Sequence, residues 1–496
     1  MASLKFIKSS AGLAFSQGAV QISAFLRNVF LARLISPADF GIGATFTLTV
    51  GFLEMMSSMG SDRLLIQAED GNEPKFQKTI QAVNALRGLM NGAVIFLLAG
   101  PVSHLFSIPQ ALWAFRCLAL VPFIKGLAHE DTNRLQREMK YRPIIMVETI
   151  TSILVTVLAV VLGLWLKSYA VMLWLAVSQM LIAMLVSHLF AERPFRLQLD
   201  RLYSRRIFTF GWPLLVNGLL LFIILQGDRV VIGSAPKLFP ASSLTLADLG
   251  VYSVAFSLTM APTMMIANVT TSLFLPLLSR VQNLADEFHR RYVACARTVS
   301  LLATIISVPV IVGGHWIILF VYGGKYEAAG TFIGWLAAMW AVRIIRVTPT
   351  LASMAKGDTR NMMISNVVRS LALVCVLVFV ALGYSLVWVA VSGFVGELLA
   401  TIASVLRLRR FHQVPLKLSL TPAAVSLSGM GIAALVTLSG LSQTGWFVAL
   451  AASSVIIAMV VLAMIQIFPD FRREVWAIVS RRESQIVSKK ELVTPL

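Results

Sequence analysis

Fourteen apolar runs, each about long enough to cross a bilayer as a helix, follow one another along the chain with short polar breaks between them. They cover residues 9–33, 38–59, 76–100, 108–128, 144–166, 169–190, 207–233, 249–275, 291–314, 327–354, 361–383, 385–406, 421–441 and 444–467, and each predicts a membrane-spanning α-helix. Run length settles helix over barrel. The tenth run is the least regular, because Gly330, Gly334 and two arginines interrupt it. The pattern also starts over. Pro37-Ala-Asp-Phe-Gly-Ile42 lies between the first two runs and Ala247-Asp-Leu-Gly-Val-Tyr252 between the seventh and eighth, so Asp-x-Gly recurs 209 residues later. In each copy Asp is expected to cap the free N–H groups of a helix, and Gly to allow close backbone approach. Such a recurrence suggests duplication.

Composition agrees with this reading. Hydrophobic residues make up 57% and charged residues 13%, with mean hydropathy +0.81, against about 25% charge in a soluble domain. A net charge of +19 invites a nucleic-acid reading, but the cations sit in short loops. Thirty-one of the 42 basic residues fall on the N-terminal side, whereas the opposite loops hold only Arg33, Lys167, Lys237 and Lys325. That alternation places both termini in the cytoplasm. Lys5 and Lys8 precede the first run as in a signal peptide, but the run continues past Arg27 to Leu34 without a cleavage site, so an uncleaved first span is expected. The basic stretches near 129–143 and 191–206 are expected to lie along anionic headgroups.

With Arg33, Arg291 and Arg297 counted among the loop cations, seven arginines are assigned to span interiors: Arg27, Arg87, Arg116, Arg229, Arg343, Arg346 and Arg369. Only Glu54, Glu148, Asp228 and Glu397 could answer them there. At about 2.5–3.5 kcal/mol for each central Arg, seven facing lipid would oppose insertion by roughly 20 kcal/mol. A wet, cationic interior removes most of that cost. Polar residues also share helix faces: Gln17, Gln21, Ala24 and Asn28; Thr47, Gly51, Glu54 and Ser58; Asn84, Arg87 and Asn91; and Asn217 with Asp228. Interhelical hydrogen bonding, at about 0.6 kcal/mol per bond, is the favoured account of the Thr, Ser and Asn positions. It does not account for net positive charge, so Arg27, Arg87, Arg343 and Arg369 are expected to line a cavity. Arg229 beside Asp228 is expected to form a local pair, and Glu148, Arg116 and Arg346 suit helix ends or snorkelling.

Cys117, Cys295 and Cys375 read as packing residues and the six histidines as interface residues, none at metal-ligand spacing. No Walker lysine motif or other catalytic signature is present in the sequence, so an enzyme is not expected.

Several fragments together resemble the polysaccharide-transporter branch of the multidrug/oligosaccharidyl-lipid/polysaccharide (MOP) exporter superfamily, and within it Wzx-type flippases. They are Leu31-Ala-Arg-Leu-Ile-Ser-Pro-Ala-Asp-Phe-Gly41, Leu135-Gln-Arg-Glu-Met-Lys-Tyr-Arg142, Phe210-Gly-Trp-Pro213, Gly227-Asp-Arg-Val-Val-Ile-Gly233, Gly250-Val-Tyr252 and Pro276-Leu-Leu-Ser-Arg280. The resemblance implies an all-α, polytopic membrane protein of about 14 transmembrane helices. Two pseudo-symmetric six-helix lobes, residues 1–203 and 204–417, would flank a central cavity, with two extra helices over 418–469 and a polar tail over 470–496. It implies a flippase moving a polyprenyl-diphosphate-linked (undecaprenyl-type) oligosaccharide from the cytoplasmic to the periplasmic leaflet of a bacterial inner membrane. Exopolysaccharide, capsule or O-antigen assembly would consume the cargo, with a polymerase and chain-length machinery as partners besides membrane lipids. No cofactor is implied beyond a Na+ or H+ coupling ion.

Guanidinium groups fork onto phosphate oxygens, so Arg27, Arg87, Arg343 and Arg369 are the candidate diphosphate or acidic-sugar contacts. Gln17, Gln21, Asn28, Asn84, Asn91 and Asn217 are candidate polar lining. Glu54, Glu397 and Asp228 are candidates for ion coupling or arginine pairing. A peptidoglycan-precursor (lipid II) flippase shares the expected cationic cavity, and a multidrug antiporter shares the plan but would favour an acidic one. A membrane-embedded glycosyltransferase or polymerase would need larger loops.

Overall fold

A computed structural model describes residues 2–472, with side chains from residue 18 onward. Among the described residues every regular element is helical. Eleven helices are long and apolar enough to cross a membrane, and two bent pairs raise the number to as many as 13. The first helix, whose side chains are described only from Gly18, is not among them. Each of the fourteen expected spans falls on a helix or a broken helix pair.

The chain divides into two compact units. Unit 1 is Met1–Ala261 with Ile318–Ala329 and Ser370–Gly393; unit 2 is Pro262–Ile317 with Gly330–Arg369 and Phe394–Leu496. Unit 1 contains α1 (Ala2–Leu34), α2 (Pro37–Ser57), α3 (Ser61–Gln67), α4 (Pro74–Leu105), α5 (Leu112–Leu118), α6 (Leu120–Gly126), α7 (Asp131–Arg137), α8 (Arg142–Leu166), α9 (Ala170–Leu189) and α10 (Arg201–Leu238). It also takes the first part of α11 (Leu246–Ser279) and the end of α12 (Ala285–Tyr322). Unit 2 holds the remainder of those two helices, α13 (Ile333–Ala355) and all but the last residue of α14 (Arg360–Ser370). The short α15 (Ala372–Ala381) returns to unit 1, and α16 (Leu386–His412) runs from unit 1 into unit 2. The last helices, α17 (Leu416–Leu438) and α18 (Trp446–Ile467), are in unit 2. Beyond residue 472 the expected polar tail lies outside the described residues.

Close backbone approach is the recurring device in unit 1. A Cβ at Gly218 of α10 would lie 1.9 Å from Met55 O on α2, and one at Gly211 would lie 2.6 Å from Met59 Cβ. Small residues let the helix backbones approach this closely without a hydrophobic drive between them. The repeated Asp-x-Gly sites behave alike. A Cβ at Gly41 would lie 1.9 Å from Leu246 O, and one at Gly250 would lie 2.0 Å from Pro37 O. The expected capping role of the aspartates needs correction, because the cap is one turn earlier. Ser36 Oγ accepts from Asp39 N at 3.1 Å and donates to Asp39 Oδ2 at 2.6 Å. Thr245 donates to Asp248 Oδ2 through both N (2.8 Å) and Oγ1 (2.7 Å). These are capping boxes, with the carboxylate at the third helical position and the hydroxyl residue as cap.

Several spans are less regular than their apolar runs suggest. The fourth is built from a 3-10 turn, α5 and α6, and α7 follows at a bend of 43°. The tenth bends by 59° between the 3-10 segment Gly324–Thr331 and α13, and is then continuous through Gly334 and both arginines. The eleventh is interrupted at Leu371, between α14 and α15.

The basic stretch after α6 is tied into unit 1. Asp131 is fully buried; it accepts from Arg134 Nε at 2.5 Å, Gln77 Nε2 at 3.0 Å and Glu192 N at 2.7 Å. Arg137 NH1 reaches Ile66 O at 2.9 Å near the end of α3, where helix carbonyls lack partners. Arg297, read from the sequence as a loop cation, is inside α12 and buried, its guanidinium 4.4 Å from the Phe471 ring centre. Of the cysteines only Cys295 is buried; Cys375 is exposed and is not a packing residue.

In unit 2 the core is α12, α13, α17 and α18, through Val299, Val308, Ala337, Ala341, Met430 and Ile456. Buried hydroxyls bridge the same helices, with Thr304 Oγ1 and Ser426 Oγ 2.7 Å apart. Satisfied polar contacts of this kind are what a span must supply internally.

Candidate functional site

Unit 1 contains a polar cavity of about 220 Å³. Glu54, Ser57 and Ser58 at the end of α2, Arg87 and Asn91 on α4, and Lys125 on α6 line it. Gly88 and Gly126 let α4 and α6 meet at backbone distance, with a Cβ at Gly88 only 2.5 Å from Pro122 O. Lys125 Nζ stands 2.8 Å from Glu54 Oε2. Asn91 Nδ2 donates to Ser57 Oγ at 2.7 Å, and Arg87 NH1 reaches Ser57 O over a long 3.4 Å. Two cations and one carboxylate thus line the cavity, and among the described residues Arg87 makes only that one long hydrogen bond. On the same α2 face Gly51 looks onto open space, with nothing within 4 Å of its Cβ position.

The other candidates of this unit separate into three groups. Arg27 is half-buried on α1 with no ion pair or hydrogen bond among the described residues, and Gln21 and Asn28 likewise lack side-chain partners there. Gln17 lies outside the described side chains, and Asn217 is exposed on α10. Asn84 is not a lining residue: it is buried, accepts from Ser61 Oγ at 2.9 Å and donates to Glu130 Oε1 at 2.7 Å. Asp228 does not pair with the Arg229 guanidinium. Its carboxylate accepts from Tyr252 OH at 2.6 Å and from Arg229 N at 2.8 Å. Arg229 turns away, donating to Leu225 O at 3.1 Å with its guanidinium 4.4 Å from the Phe256 ring centre. Arg116 is exposed, its guanidinium 5.8 Å from the Phe96 ring centre.

Unit 2 holds a buried cluster of charge with a cationic excess. Glu397 on α16 is 0% exposed, and three guanidiniums converge on it. Arg346 Nε lies 3.0 Å from Oε2, Arg343 NH1 lies 3.3 Å from Oε1, and Arg369 pairs with Oε1 through Nε. Arg346 also donates through NH1 to Ser365 Oγ at 3.0 Å and Asn366 Oδ1 at 3.2 Å. Arg346 and Arg369 are buried, whereas the Arg343 side chain keeps 19% exposure and lies 5.2 Å from the Trp340 ring centre. One carboxylate cannot neutralise three cations, so the cluster carries a surplus of two positive charges. Arrays of this type bind anions through paired charge-assisted hydrogen bonds.

The sequence pointed to Arg343, Arg369 and Glu397 but gave Arg346 a helix-end role. Its spacing was the available signal: three residues after Arg343, it shares the same face of α13. Lys125 and Ser57 were also missed as cavity residues, because the hydropathy pattern places them at span ends.

The chain is similar to several known proteins. Residues 30–331 match the family described as polysaccharide biosynthesis protein. The succinoglycan biosynthesis transport protein ExoT of Rhizobium meliloti is 25% identical over 63% of this chain, and the chain spans 62% of that relative's length. The amylovoran biosynthesis protein AmsL of Erwinia amylovora is 22% identical over 66% of this chain and 83% of its own. Among solved structures, the lipid II flippase MurJ in an inward closed conformation aligns over 93% of this chain and 99% of its own (TM-score 0.64, 15% identity). An inward-facing multidrug resistance MATE family transporter of the MOP superfamily aligns over 81% and 99% (TM-score 0.62, 14% identity). At these identities the likeness is one of fold.

Proposed function

The chain belongs to the polysaccharide biosynthesis protein family, and from that premise we propose that it flips a polyprenyl-diphosphate-linked oligosaccharide across a bacterial inner membrane. Family and fold together support a polysaccharide-related flippase of the MOP type, and the many apolar helices a multi-pass membrane protein. The finer reading concerns cargo and direction: from the cytoplasmic to the periplasmic leaflet, with both termini cytoplasmic, driven by a Na+ or H+ gradient.

The observation that carries this reading is the three-to-one excess of guanidinium over carboxylate around Glu397. A diphosphate cannot cross hydrocarbon bare, and neither can a glycan dense with hydroxyls. Arginines held together against their own repulsion suit a doubly anionic headgroup, because the cargo relieves what the protein alone leaves uncompensated. The cavity with Arg87 and Lys125 has the same bias and adds amide and hydroxyl partners for sugar. An antiporter of cationic drugs would be served by the opposite sign.

In this reading Arg343 touches the headgroup, being the one arginine of the cluster left partly open, while Arg346 and Arg369 hold Glu397 and fix the geometry. The test is to delete the gene and then restore it with Arg343→Ala or Arg87→Ala, counting lipid-linked oligosaccharide on each membrane face. Accumulation on the cytoplasmic face in both variants is expected. Unchanged distribution in the deletion strain would remove the proposal.

A further inference from the structure

A second cavity of unit 1, about 1170 Å³, shares no lining residue with the one around Arg87. It is bounded by the end of α3, the turn after it and the first turns of α10. A chain of paired groups builds its wall. Arg206 NH1 donates to both oxygens of Asp70 at 2.8 Å, and its guanidinium lies 5.3 Å from the Phe76 ring centre. Phe76 is buried; Tyr203 packs on it with ring centres 4.9 Å apart and donates its hydroxyl to Glu73. Arg137 NH2 donates to Glu69 O at 2.9 Å and fixes the backbone there. Two lining charges are left over. Glu69 and Arg205 are exposed and of opposite sign, and among the described residues neither side chain has an ion pair or hydrogen bond.

The sequence sets the depth of this groove. Helix α10 opens with Arg201, Arg205 and Arg206 and turns apolar from Ile207 onward, so the groove straddles the boundary between headgroups and hydrocarbon. Glu69, Asp70, Arg205 and Arg206 form its polar side, and Leu202 and Phe210 supply apolar surface. Its formal charges cancel, two acids against two arginines, unlike the cationic excess around Glu397.

We propose that this groove is a phospholipid site that selects a zwitterionic headgroup with a primary ammonium, the chemistry of phosphatidylethanolamine. Arg205 forks onto the phosphate oxygens. Glu69 accepts from the ammonium, which offers three N–H donors. The acyl chains then leave along Leu202 and Phe210 into the bilayer. An anionic headgroup would bring its charge beside two carboxylates. A quaternary ammonium has no N–H to give Glu69. The bilayer itself supplies the ligand at this depth, so the site stands apart from the transport reading above.

The test gives the purified full chain, in detergent, an equimolar mixture of phosphatidylethanolamine, phosphatidylcholine and phosphatidylglycerol with identical acyl chains. Native mass spectrometry then reads which lipid stays bound. Phosphatidylethanolamine should be retained about tenfold over each competitor, the worth of one charge-assisted hydrogen bond. Glu69→Gln and Arg205→Gln should each erase that preference; both residues are exposed, so neither change disturbs the fold. Arg196→Gln, at an exposed arginine outside the lining, should keep it. Preference for phosphatidylglycerol, equal retention of phosphatidylcholine, or a preference that survives both groove variants would overturn the proposal. Loss of the preference in Arg196→Gln would trace it to surface charge at large and overturn the proposal too. Displacement of the lipid by excess maltotriose would overturn it in favour of a sugar site.

Discussion

Arg346 turns Nε toward Glu397 Oε2 at 3.0 Å, although the carboxylate it meets is already claimed by two other arginines. Its remaining bonds to Ser365 and Asn366 hold it in that crowded position. The residue is buried, so its removal leaves Glu397 less compensated and opens a void. Arg346→Ala should therefore lower stability by about 1–3 kcal/mol, less than for a lone buried pair because two arginines remain. Arg343→Ala should cost under about 1 kcal/mol of stability yet lower polymer output by roughly tenfold or more, the worth of a charge-assisted bond. Thermal unfolding in detergent set beside polymer yield separates the two residues. Equal stability losses would contradict the assignment.

Replacing the carboxylate makes the reverse case. Glu397→Gln keeps size and hydrogen-bonding capacity but leaves three cations facing one another. The variant should unfold at lower temperature than the parent, and inorganic pyrophosphate should restore more of its stability than it adds to the parent. A pyrophosphate response no larger than the parent's would show that the cluster does not accept free anions.

Glycine positions in unit 1 give predictions of opposite sign. At Gly218 a methyl group would meet Met55 O at 1.9 Å, and neither backbone can yield. Gly218→Ala should cost about 1–3 kcal/mol or more. At Gly51, inside α2 and facing open space, Ala should add about 0.5–1 kcal/mol through helix propensity. Thermal midpoints of the two variants should move apart.

Asp358, in the connection between α13 and α14, gives a pH dependence. Burial by itself would raise its pKa, but two 3.0 Å hydrogen bonds from Arg407, that residue's charge and a contact from His412 outweigh burial and hold the carboxyl below its usual range. A depressed folded-state pKa stabilises above the unfolded value of about 3.9 and loses that contribution as pH falls through the folded value. The parent should be more stable than Asp358→Asn at pH 7, and the gap should close progressively below about pH 4. A gap that does not narrow would exclude the linkage.

The sequence made the spans legible because twenty apolar residues in a row have one physical solution in lipid. The repeat was visible in Asp39-Phe-Gly41 and Asp248-Leu-Gly250 for a similar reason, since cap and close approach both demand particular residues. Which hydroxyl does the capping was visible only from one turn earlier, at Ser36 and Thr245. Candidate charges divided by how much geometry they needed. Arg343 and Glu397 stood out through insertion cost alone. Arg346 required knowing that α16 presents its carboxylate to that face of α13. Asn84 misled because its stripe is shared with Arg87, whereas its side chain points to Ser61 and Glu130. The break at Leu371 has no Gly or Pro to announce it, and hydropathy is blind to it.

The paired glycine crossing has a genealogical consequence. Gly41 meets the chain at Leu246 as Gly250 meets it at Pro37, and both partners are displaced by the same 209 residues. A contact in which each side offers the same patch is isologous, the form taken by two identical subunits across a dyad. Half-length chains cut near residue 204 and produced as separate polypeptides would then carry, in that patch alone, a means of finding each other.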